Sequence, residues 1–185
     1  MSGNGWEFDG NRLTLTENGS FHIIGEELIS TKNRIHVATG KKVDVLLDNV
    51  NIDVTAEDSR DNGLCAFGTA GAEIDLFLKG TNSLTSGRGY AGLAVSADTS
   101  ITINSVDGLG SENGVLYVVG GCSFYGPWGD LGAGIGASYN TDDLGLDNNT
   151  NGRRTAFTAG KITINGGTIS AHGEVGIGSR SGSSQ

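Results

Sequence analysis

One proline and two cysteines in a chain of 185 residues remove several architectures at once. A disulfide framework needs more thiols than this, and no CxxC or Cys/His spacing suggests a zinc site. Bridging Cys65 to Cys122 would need their Cα atoms within about 7 Å. Proline deletes a ladder hydrogen bond wherever it enters a central strand, so its near absence suits a chain made mostly of such strands. Cationic side chains are also scarce: 12 Lys and Arg face 21 Asp and Glu, giving a net charge of -9 and a pI near 4.6. That balance argues against nucleic acid, whose phosphates are bound by clustered Lys and Arg. There is no run of about 18 apolar residues to enter a membrane. No helical periodicity extends beyond a turn or two. The N-terminal "MSGNGWEFDG" lacks the basic-then-apolar order of a secretion signal.

What the chain has in abundance is glycine, 32 residues without a collagen period, set between short alternating stretches. "GAGIG" at 132–136 returns as "EVGIG" at 174–178, and "YAGLAV", "NGLCAF" and "NRIHVATG" hold the same place earlier. A second kind of stretch follows these: "VDVLL", "IDLFL", "ITIN" and "KITING". A third comes after it: "NIDV", "NSLTSG", "VLYVVGG" and "GTISAHG". Alternation of period two puts every other side chain on one face, and repetition at this scale marks stacked repeats. The expected fold is all-β, a right-handed parallel β-helix of about five coils forming a single domain over 1–185, with corner insertions at 120–132 and 137–160.

Three inward columns are expected. The first is Val37, Phe67 and Val95 with Ile35, Cys65, Leu93, Ile135 and Ile177. The second is Leu13, Val45, Leu76, Ile103 and Ile164, and the third is Phe21, Ile52, Leu84, Leu116 and Ile169. On this reading "RLTLTENGSFHIIG" forms the second and third strands of an incomplete first turn, with Trp6 and Phe8 plugging its open end. The other end stops after "EVGIGSRSGSSQ", one strand into a new turn. That reads as a piece of a longer protein, or as an end made for another copy or a partner by end-to-end association.

Function is sought where the repeat is broken. The longer insertion holds "NTDDLGLDNNTNG", in which Asp142, Asp143, Asp147 and Asn149 offer the carboxylate and amide oxygens that calcium takes. The spacing is not that of an EF-hand, and the alternative is a solvated loop of ordinary turn residues. The shorter insertion, "CSFYGPWGDLG", places Tyr125 and Trp128 in a glycine-rich corner. With Tyr139 and Arg153 of the longer insertion they form either a platform for sugar rings or a packed cover for the core edge. Both insertions flank the stretch 132–136 and are expected to build one ledge.

The strings "ITI", "GGTISA" and "GAGIG", preceded by "LTLTENGS", "LDNVNIDV" and "LKGTNSLTSG", give the chain from Trp6 to Gly178 a resemblance to the carbohydrate-binding-domain-containing surface proteins of anaerobic Gram-positive bacteria. The resemblance implies a right-handed parallel β-helix, polysaccharide or glycan as partner, calcium as cofactor and a place outside the cell or on its surface. Two rival functions stay open: a structural or adhesive stalk or fibre module, and a polysaccharide lyase or glycosidase. A glycosidase needs two carboxyls about 5–9.5 Å apart. Asp44 with Asp75, or Asp142 with Asp143, are the pairs to consider.

Overall fold

The computed structural model describes residues 1–55, 64–69, 71–106, 114–121, 132–138 and 158–179. Their regular elements are all β-strands: β1 (Ser2–Gly3), β2 (Trp6–Phe8), β3 (Arg12–Leu15), β4 (Gly19–Ile24), β5 (Arg34–Val37), β6 (Lys42–Asp48), β7 (Asn51–Asp53), β8 (Phe67–Thr69), β9 (Glu73–Arg88), β10 (Leu93–Val95), β11 (Ser100–Ser105), β12 (Gly114–Gly121), β13 (Ile135–Gly136), β14 (Lys161–Ile164), β15 (Thr168–His172) and β16 (Ile177–Gly178). They form two sheets in which most neighbours are parallel. The first runs in the order β1-β2-β3-β5-β8-β10-β13-β16.

The second sheet bends along β9. Residues 73–79 of that strand pair with β6 on one side, and the stretch from residue 73 pairs with β11 on the other. Beyond the bend, β9 pairs with β7 and β12. The sheet therefore has a first limb (β4, β6, early β9, β11, β14) and a second limb (β7, late β9, β12, β15). The bend falls at Gly80, whose φ of +63° is one that a side chain with a Cβ resists. A Cβ there would also meet the Asn49 amide at 2.2 Å. Asn49 turns the same corner one pass earlier with φ +55°, a conformation asparagine tolerates.

Parallel neighbours with a two-residue side-chain period put like residues in line. In the first sheet Leu13, Ile35, Phe67, Leu93, Ile135 and Ile177 are partners in succession. In the first limb the series is Phe21, Val45, Leu76, Ile103 and Ile164. In the second limb it is Ile52, Leu84, Val118 and Ala171, beside Asn82, Leu116 and Ile169. One apolar cluster draws on all three series. Each aliphatic group fully buried there contributes about 1.5–3 kcal/mol.

These partners correct several expected positions. Leu13 belongs to the first column and Phe21 to the second, because "RLTL" joins the first sheet and "GSFHII" the first limb. Each strand thus lies one wall earlier than expected, and Thr31, bridged to Ile52, takes the place assigned to Phe21. Phe67, not Cys65, is the partner of Ile35. Cys65 packs instead in a smaller cluster with Tyr90, Ala91, Ala94 and Ala133. Leu84 pairs with Val118 rather than Leu116. All these slips preserve inward or outward sense, since a shift of two residues leaves a side chain on the same face. Ile164 and Ile177 are 42% and 46% exposed because they end their series among the described residues. Trp6 packs on the core through β2, which pairs antiparallel with β3.

Two of the buried polar residues meet opposite outcomes. Asn82 is fully buried and satisfied: its Oδ1 accepts from the Val50 N–H at 2.8 Å, and its Nδ2 donates to the carbonyls of Lys79 at 3.1 Å and Val115 at 3.3 Å. It thereby ties three successive passes at one corner. Thr69 is equally buried, in series with Leu15, Val37 and Val95, and its hydroxyl has no hydrogen-bond partner among the described residues. An orphaned buried hydroxyl costs roughly 1–3 kcal/mol. In urea unfolding, Asn82→Leu is expected to lower stability by about 2–3 kcal/mol through the groups it orphans. Thr69→Val, nearly equal in volume, is expected to raise it by about 1 kcal/mol.

Candidate functional site

The eight residues expected from the sequence to bind ligand or metal, Tyr125, Trp128, Tyr139, Arg153, Asp142, Asp143, Asp147 and Asn149, lie outside the described residues, as does Cys122. The described chain does locate the roots of both insertions. Gly132 N–H donates to the Gly121 carbonyl at 2.9 Å, closing the shorter insertion at its base, and Gly121 N–H donates to the Tyr90 carbonyl at 2.9 Å. At the start of the longer insertion, Ser138 Oγ accepts from the Ala91 N–H at 3.0 Å. Both roots are therefore tied to one dipeptide, Tyr90–Ala91, itself buried. The approach is close enough to demand glycine: a Cβ on Gly132 would stand 1.8 Å from the Tyr90 carbonyl oxygen.

Among the described residues, the outward face of the second limb gathers side chains suited to a ligand. Alternation sends Val115, Tyr117 and Val119 out of β12 while Leu116 and Val118 point in. Tyr117 is 47% exposed. Its register partners are Ser83 on β9 and Ser170 on β15, and Ser83 in turn partners Asn51. One step along, Val119 lies between Thr85 and His172, with Asp53 beyond Thr85. An aromatic ring thus stands in a field of short hydroxyl and amide side chains, with strands about 4.7–4.9 Å apart. Tyr117 was not among the residues expected to bind, which were sought in the insertions where the repeat is broken. The signal was present in the alternation, which sends the tyrosine outward.

Ser170 Oγ lies 2.9 Å from His172 Nε2. A nucleophile needs a base held by a third group, and no carboxylate holds His172 among the described residues. The pair presents hydrogen-bonding groups beside Tyr117 and Val119. Asp44 and Asp75, the carboxyls considered for glycosidase chemistry, are register partners on the outward face of the first limb, and Ser20 Oγ donates to Asp44 Oδ2 at 3.0 Å. No group of three or more His, Cys, Asp or Glu is placed to hold a metal among the described residues. Comparison with protein-family models, curated proteins and solved structures finds no match.

Beside the bend, Asp48 collects three polar partners. Lys79 Nζ donates to its Oδ2 at 2.9 Å, His22 Nε2 lies 3.2 Å from the same oxygen, and Asn49 Nδ2 donates to Oδ1 at 2.9 Å. The Lys79 hydrogen bond, with help from His22, holds the Asp48 carboxyl below its ordinary value against the opposing effect of desolvation. A depressed folded-state pKa means that the unfolded chain takes up the proton first as pH falls. The contribution of Asp48 is thus complete above the ordinary carboxylate range, near pH 4, and is lost as pH drops through the folded value. Urea midpoints followed from pH 6 down to pH 3 are expected to fall less steeply in Asp48→Asn than in the parent chain.

Proposed function

We propose that this chain is a right-handed parallel β-helix acting as a non-catalytic polysaccharide-binding module of a bacterial surface or secreted protein. The chain returns to the first sheet, first limb and second limb in the same order, with parallel partners each time, which supports the β-helix. Right-handedness follows from the strong bias of parallel crossovers. The observation that carries the binding function is Tyr117, half-exposed on the second limb between Ser83 and Ser170. An aromatic face takes the C–H side of a sugar ring, and neighbouring Ser, Thr, Asn and His side chains meet its hydroxyls. Tyr125, Trp128, Tyr139 and Arg153 of the two insertions are assigned to the same binding function. Calcium held by Asp142, Asp143, Asp147 and Asn149 assists it. The resemblance to carbohydrate-binding surface proteins supports the same reading and a location outside the cell.

A structural reading, as one unit of a stalk or fibre, draws support from the stacking of successive passes through parallel partners. A glycan array separates the two, since a stalk binds nothing on it. On an array hit, Tyr117→Ala is expected to weaken binding about tenfold, equivalent to some 1.4 kcal/mol, with the urea midpoint unchanged. Full retention by Tyr117→Ala would remove the second limb as the binding surface. Trp128→Ala is expected to weaken binding likewise, and EDTA to lower both glycan retention and Tm. If chelation moves neither quantity, calcium has no part in it.

A further inference from the structure

The turn after β4 combines two costs with no return inside the molecule. Ile29 N–H donates to the Glu26 carbonyl at 3.1 Å, closing a four-residue turn whose third position is Leu28 at φ +64°. That position favours glycine or asparagine, and positive φ in a bulky residue is an outlier. The strained leucine is also 94% exposed, between Ile24 at 69% and Ile29 at 54%. Strain concentrates where function needs it, and clustered exposed apolar side chains mark contact surfaces. Glu26 and Glu27, both exposed, give this apolar tip a negative rim.

Complementary chemistry occurs elsewhere on the same chain. An open groove of about 450 Å³ runs across the starts of β6, β9, β11 and β14, lined by Lys41, Lys42 and Lys161 with Ala72 and Ala97 between them. Its volume falls within the range of about 300–1,000 Å³ typical of ligand sites. Glu73 and Asp98 also line it. Lys42 is held by Glu73 at 2.9 Å and Lys41 leans toward Glu17 at 3.7 Å, whereas Lys161 has no ion pair among the described residues. Three lysines against two carboxylates leave the lining slightly positive in a chain of net charge -9. The turn follows the end of β4 while the groove lies at the strand starts, the length of a strand away. At about 3.3 Å per residue, the turn cannot reach its own groove.

We propose that the turn 26–29 of one copy docks with Leu28 leading into the lysine groove of a second copy, Glu26 and Glu27 meeting Lys41 and Lys161. Turn and groove are different surfaces, so the contact is heterologous and propagates to a ring or an open chain. The surface is separate from the wall around Tyr117. Sedimentation and light scattering from micromolar to millimolar concentration are expected to show reversible association that weakens with salt. Leu28→Gly is expected to weaken it at least about tenfold while leaving the urea midpoint equal or higher, because glycine relieves the strained φ. Reversing the turn (Glu26→Lys with Glu27→Lys) or the groove (Lys41→Glu with Lys161→Glu) is expected to abolish self-association, and mixing the two variants to restore it. A parent chain that stays monomeric throughout overturns the proposal, as does association indifferent to Leu28→Gly or to both charge reversals. Cosedimentation of a monomeric parent chain with phosphatidylcholine vesicles, lost in Leu28→Gly, overturns it in favour of a membrane surface.

Discussion

Register between parallel neighbours is the constraint on which the rest depends. Once β9 pairs with β6 and β11 over its first half, every inward side chain of that half has one partner above and one below. A slip by one residue would turn Val43, Val45 and Leu47 toward water and bring Asp44 and Leu46 inside. The apolar series therefore hold the register as strongly as the ladder hydrogen bonds do. The corner tolerates polarity only where it is fully partnered. Asn82 serves there because its amide meets three backbone groups from three passes. The first sheet ends differently, in antiparallel partners: β1 and β2 fold over the edge of β3, and Trp6 covers the core beneath.

Because the inward positions carry the stability, the outward ones are released for other uses. Tyr117, Ser83, Ser170 and His172 share a face without any packing duty inside. Leu28 is the extreme case, an apolar residue with neither a packing role nor a relaxed backbone. Charge follows the same division. Asp48 is tied into Lys79, His22 and Asn49 at the bend, where it joins strands, while Glu26 and Glu27 stand free in solvent beside apolar tips.

Much of the fold was legible from alternation alone. Leu93, Ile135 and Ile177 are partners as expected, as are Val45, Leu76, Ile103 and Ile164. The misplaced residues share one cause. Period two distinguishes inward from outward but does not distinguish one wall from the next, nor position i from i+2. Leu13 and Phe21 were therefore assigned one wall late, and Leu84 was aligned with Leu116 instead of Val118. Of the proposed binding surface the sequence suggested aromatic residues in the insertions, all outside the described residues. It left Tyr117 unremarked, since nothing local to "VLYVVGG" says that its neighbours in space are serines.

By itself, then, the sequence determined the strand character, the inward sense of most of the column residues, and the acidic balance of charge. These are properties of spacing and composition along one dimension. Tertiary structure decided which wall the first strands join and the register of the second limb, and so that Ser83, Tyr117 and Ser170 stand side by side and that Lys41, Lys42 and Lys161 share a groove. Such contacts join residues tens of positions apart. The pairing of whole passes sets them, by the requirement that every inward side chain find an apolar neighbour and every backbone group a partner.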